Sequence, residues 1–150
     1  DVAATAAHDG SILLWGTDTW EQTAVLNAGV RVNSIAMSSD GAKLVAACDS
    51  GRVRVWDIAS KREADLNVDG SNDRVTCVVL LGDVRSVAGE EKRVPQYQVA
   101  AACADGRVCV WNLASAKMEG CYKVHGNSAV YSLCAMPDGG LASGGGDMAV

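Results

Sequence analysis

The chain has 150 residues, 49% hydrophobic and 21% charged, with a net charge of −5, a composition for one globular domain and not for a disordered segment. The acidic balance speaks against nucleic acid as a partner, which would require a basic face, and against charge-driven docking on a membrane; no apolar run approaches the roughly 18 residues that span a bilayer. The sequence starts at Asp1 with neither an initiator Met nor a signal-peptide pattern, so a portion of a longer protein is expected.

In chain order, residues 2–7 form an Ala-rich strand candidate. It turns at His8-Asp9-Gly10 into Gly10-Ser-Ile-Leu-Leu-Trp15, whose apolar residues alternate with the period of a strand. The connection Gly16-Thr-Asp-Thr-Trp20 leads to a further strand near residues 21–26. Trp20 is expected to pack over the outer edge of its sheet, the alternative being a binding anchor. The next unit has strand candidates at 32–37, 44–48, 51–56 and 62–68, with turns at Ser39-Asp40-Gly41 and Asp49-Ser50-Gly51. The third has 75–81, 99–103, 106–111 and 117–124, with Ala104-Asp105-Gly106 as its hairpin turn. A fourth begins with 130–135, the turn 136–139 and a Gly-rich second strand ending at Asp147. The Asp-Gly and Ser-Gly turns supply the positive φ that a tight hairpin needs.

Three of these strands share one pattern: Gly, a variable residue, an aliphatic, another variable residue, an aliphatic, then Trp at 15, 56 and 111. The first two tryptophans are 41 positions apart, which suits a four-stranded repeat of about 40–45 residues. The second gap is 55, and the excess falls in the polar segment 82–95, read as an insertion between the first two strands of its unit. Loop decoration is the default reading of that segment and partner recruitment the sharper one; deleting it should spare folding. A plain antiparallel sandwich also uses many short strands but does not demand this spacing three times.

These residues resemble the WD40-repeat family. Trp56-Asp57 matches its Trp-Asp marker, Trp111-Asn112 is a variant, and Trp15-Gly16 keeps only the Trp. The Gly-His marker survives in part at His125, whereas Asn27 and Gly70 stand at the equivalent places upstream. The resemblance implies an all-β fold: a WD40-type β-propeller of four-stranded antiparallel blades, incomplete in this chain. It divides the chain into a partial blade 1–28, a blade 29–68, a blade 69–124 with the insertion 82–95, and a partial blade 125–150. It also implies a hydrogen-bond relay from the Trp indole through a Ser or Thr to a His and a hairpin Asp. Asp9, Asp105 and Asp147 take the Asp place, with Ser50 there in the middle blade. Only the last unit offers His125 and Ser143 together. Seven blades would need roughly twice this length, so residues 1–150 alone are expected to aggregate or remain poorly folded, and the remainder of the propeller is needed for closure.

Catalytic and metal sites are poorly supplied. There are two histidines, His8 and His125, no Gly-x-Ser-x-Gly elbow, and no Gly-Lys-Ser/Thr ending to the glycine run. No enzyme activity, metal or cofactor is expected. The six cysteines match no zinc spacing; they are expected to be small buried hydrophobes in a reducing compartment, hence a cytoplasmic location, the nucleus being the alternative. Among related propellers partners dock on the narrow rim, which here implies His8, Arg31, Asp49, Arg74, Asn127 and Ser128. The functional expectation is a non-catalytic protein-interaction scaffold, a subunit of a larger complex whose partners are other proteins. A substrate receptor of a ubiquitin ligase is one alternative, though Trp56-Asp57-Ile58-Ala59 and Trp111-Asn112-Leu113-Ala114 lack the Arg of the Trp-Asp-x-Arg docking signature. A propeller appended to an enzyme domain outside this sequence is another.

Overall fold

A computed structural model describes residues 1–68, 73–83 and 96–148. They form thirteen strands and no helix, so no helix is long and apolar enough to cross a membrane. Strands β1 (Val2–Ala6), β2 (Ser11–Gly16) and β3 (Gln22–Asn27) make a three-stranded sheet. Strands β4 (Val32–Met37), β5 (Lys43–Cys48), β6 (Arg52–Asp57) and β7 (Glu63–Asn67) make a four-stranded sheet in that order. Strands β8 (Val75–Asp83), β9 (Gln96–Cys103), β10 (Arg107–Asn112) and β11 (Lys117–Lys123) make a second. Strands β12 (Val130–Ala135) and β13 (Leu141–Gly145) pair alone. Every pairing is antiparallel between sequence neighbours, as short turns require.

The sheets stack face to face, and the period-two alternation of β5 shows how. Leu44, Ala46 and Cys48 join a core with Ile12, Leu14 and Leu26 of the first sheet. Val45 and Ala47 join a second core with Val75, Val78, Val99, Ala101 and Cys103 of the third. A third core sets Ala100, Ala102 and Val108 against Val130 and Leu133. A strand buried on both faces cannot alternate apolar with polar, which is why these runs read as Ala, Val and Cys throughout. Trp56 and Trp111, each 2% exposed, pack toward the preceding sheet. Trp15, in the first sheet, is only half-buried.

Three expectations are corrected. The strands flanking the insertion are longer than the expected 75–81 and 99–103, because β8 runs to Asp83 and β9 starts at Gln96. Gly82 and Asp83 pair with Tyr97 and Gln96, extending the hairpin arms. Residues 84–95, like Gly70, lie outside the described residues. The cysteines are not six buried thiols. Cys109 and Cys121 face each other directly across β10 and β11 and are disulfide-bonded, and Cys134 is exposed. Trp20 does not pack over a sheet edge: it is 68% exposed in the turn between β2 and β3.

Candidate functional site

The first strand of each complete pairing carries a β-bulge at one and the same place: between Val32 and Ser34, Val75 and Cys77, and Val130 and Ser132. A bulge re-aims the extra residue's side chain. Asn33 uses this to reach the next sheet, its amide nitrogen donating to the Val75 carbonyl at 2.8 Å and to Asp49 Oδ1 at 2.9 Å. The Thr76 hydroxyl likewise donates to the Val130 carbonyl of the sheet after it. Beside Asn33, Ser34 Oγ lies 3.8 Å from Cys77 Sγ and accepts from the Val78 amide at 3.4 Å. Each junction between sheets is thus apolar in its body and hydrogen-bonded at one end. No sequence pattern marked Asn33 or Thr76, because their partners are 42 and 54 residues away.

His125, 3% exposed, lies just before β12. Its Nδ1 is 2.7 Å from Asp147 Oδ1 and its Nε2 is 2.9 Å from Ser143 Oγ. A neutral imidazole has one donor and one acceptor. With Nδ1–H donated to the carboxylate, Nε2 accepts the Ser143 proton, leaving the serine oxygen free to accept in turn. Gly145 makes room for the ring, since a Cβ there would stand 2.6 Å from Nδ1. The structure does not extend this arrangement to the other units. Asp9 accepts from the Ser11 amide at 2.9 Å and hydroxyl at 2.6 Å, which lowers its pKa; Asp105 accepts from the Arg107 amide at 3.1 Å. Both close their own hairpins because no imidazole stands opposite, and Ser50 is exposed. One link does persist: the Trp15 indole N–H donates to Thr5 Oγ1 at 2.9 Å. Thr5 occupies the strand place of Ser143, and the same place holds Ala46 and Ala101 in the two middle sheets, which rely on apolar packing. The signal for Thr5 in the sequence is its offset to His8, equal to that of Ser143 to Gly146.

The residue after each strand Trp shapes the following turn. Asp57 Oδ1 accepts from the Ser60 amide at 2.8 Å and hydroxyl at 2.7 Å, while Oδ2 takes Lys43 Nζ at 2.8 Å. The Lys43 bond, then those from Ser60, hold this carboxyl well below the usual range. Asn112 Oδ1 accepts from the Ala114 and Ser115 amides at 3.0 and 3.1 Å. One side-chain oxygen does the turn-closing work, so Asn serves as well as Asp. At Gly16 the backbone substitutes, the Trp20 amide donating to the Gly16 carbonyl at 2.7 Å.

The rim residues share one end of the sheets, where hairpin turns meet the connections into β4, β8 and β12. The amides of Asp49 and Ala104 donate to the carbonyls of Arg31 and Arg74, each at 3.0 Å, and fix that placement. His8 Nε2 and Arg31 Nη2 are 3.2 Å apart across the first and second sheets, both exposed. Asp49 and Arg74 are exposed at the next junction. Asn127 accepts from Lys123 Nζ at 2.6 Å, and the half-buried Ser128 donates its amide to the His125 carbonyl at 3.0 Å. The six do not merge into one cluster but punctuate successive junctions. At the opposite end Asp40 accepts from the hydroxyls of Ser38 and Tyr97 and the Ala42 amide, which lower its pKa to about 2. Among the described residues no group of His, Cys, Asp and Glu could hold a metal ion. Burial pushes the Cys103 thiol up to about 11 and also raises that of Cys48, the reverse of a reactive cysteine.

Residues 20–57 match the model for "WD domain, G-beta repeat". Among 897 solved chains that match, the crystal structure of RRP9 WD40 repeats superposes with a TM-score of 0.71 at 23% identity, over 88% of this chain. The match spans 38% of that solved chain's length. No curated protein matches. A likeness at this identity speaks for fold, and a fold used so widely does not name a partner; as a class, WD40 repeats serve as scaffolds for protein interactions. The described strands thus have the fold of WD40-type β-propellers, and residues 20–57 match one WD40 repeat.

Proposed function

We propose that the chain is part of a non-catalytic protein–protein interaction scaffold, a WD40 propeller subunit of a larger complex. The observation that carries this reading is the exposed His8–Arg31 pair, held 3.2 Å apart by two separate sheets. Stacked sheets fix such junctions rigidly, so a partner meets a preformed row of polar groups: His8 and Arg31, then Asp49 and Arg74, then Asn127 and Ser128. Preformed contacts cost little ordering on binding. Affinity capture with the intact protein, repeated with His8→Ala and Arg31→Ala together, tests this. The variant should lose captured proteins while melting at the same temperature. An unchanged set of captured proteins would refute the rim as the docking surface.

A further inference from the structure

The turn between β2 and β3 holds Trp20 with φ of 56°, a left-handed conformation that bulky residues rarely adopt. The same place, five residues after the strand Trp, is left-handed in the next two sheets, where Lys61 and Ala116 fill it with φ of 56° and 53°. The turn therefore demands the conformation and not an indole, which joins none of the core clusters and is 68% exposed. Exposed Asp18 and Glu21 flank it, and neither carboxylate pairs with a cation among the described residues. The Thr17 amide donates to the Asp1 carbonyl at 3.2 Å, bringing a third acidic residue beside the turn. The acidity is local: the matching turn of the next sheet reads Lys61-Arg62.

An exposed indole with two unpaired carboxylates close by in sequence suits a guanidinium, which stacks on aromatic rings and donates to acids. We propose that Trp20, with Asp18 and Glu21, is a docking point for an arginine-bearing segment of a partner protein. It lies at the sheet end opposite His8 and Arg31. The proposal rests on the scaffold reading but not on the rim, so loss of one surface leaves the other testable.

The test is 19F NMR on the intact protein labelled with 5-fluorotryptophan, the Trp20 signal being identified by its loss in Trp20→Gly. Acetyl-Gly-Arg-Gly-Arg-Gly-amide should shift that signal saturably, and the Glu counterpart should act roughly tenfold more weakly or not at all. Asp18→Asn with Glu21→Gln should weaken the arginine response severalfold. Trp20→Gly should melt no lower than the parent, because glycine suits a left-handed turn. A signal that does not move, moves equally with the Glu peptide, or responds equally in the acid-free variant would overturn the proposal. So would a fall in the melting temperature of Trp20→Gly, which would make the indole structural.

Discussion

At the scale of single residues, the polar side chains buried or half-buried between sheets have few substitutes. Removing His125 deletes one hydrogen bond each from Asp147 and Ser143. Urea unfolding of His125→Ala in the intact protein should show a loss of about 1–3 kcal/mol, from two hydrogen bonds and the packing of a buried ring. Trp111→Ala removes a far larger volume from the junction between the second and third sheets and should cost about 3–5 kcal/mol. Asp40 gives the fold a definite response to acid. Its pKa is lowered in the folded state to about 2, so the stability it contributes is present above the unfolded aspartate value near 3.9. That contribution disappears as pH falls through about 2. Asp57, lowered mainly by Lys43, acts in the same direction. Asp40→Asn should therefore flatten the drop in melting temperature between about pH 4 and pH 2 while leaving the neutral-pH slope alone.

At the scale of elements, strands and hairpins were legible where their causes are local. Gly10, Gly51 and Gly106 have φ of 90°, 76° and 90°, as the Asp-Gly and Ser-Gly turns require. The five residues from just after the glycine to the tryptophan lie in β2, β6 and β10. What depends on register was not legible. Cys109 faces Cys121 only because the pairing of β10 with β11 runs unshifted as far as Val110, where a bulge intervenes; one residue of slip would turn the two apart. The reach of Asn33 and Thr76 depends on a bulge and on the next sheet's position, neither of which is written in a periodicity. The candidate rim was legible as a set of equivalent positions, but its pairing of His8 with Arg31 across two sheets was not. Asn33→Ala removes both bonds that tie β4 to the Val75 carbonyl and to Asp49. Amide exchange should quicken at β8 and the β5–β6 hairpin, with a global loss of about 1–3 kcal/mol. Exchange that quickened equally in β1–β3 would speak against a junction-specific role.

At the scale of the whole molecule, the same sheet-on-sheet packing recurs along the chain. Each sheet buries a face against the next, so the groups at successive junctions are held at fixed spacing; under the proposed scaffold role, partner choice would fall to turn residues that packing does not dictate. This account stands on consecutive sheets meeting face to face, with β4 of one beside β8 of the next. Ser34 and Cys77 sample that contact directly, their side-chain oxygen and sulfur lying 3.8 Å apart. The most direct measurement is mild oxidation of a Ser34→Cys variant of the intact protein, followed by mass spectrometry of the unreduced peptides. A disulfide joining positions 34 and 77, formed while the fold persists, is the result expected. A position-34 thiol that stays free in the folded protein, or joins a cysteine other than Cys77, would contradict the stacked-sheet arrangement.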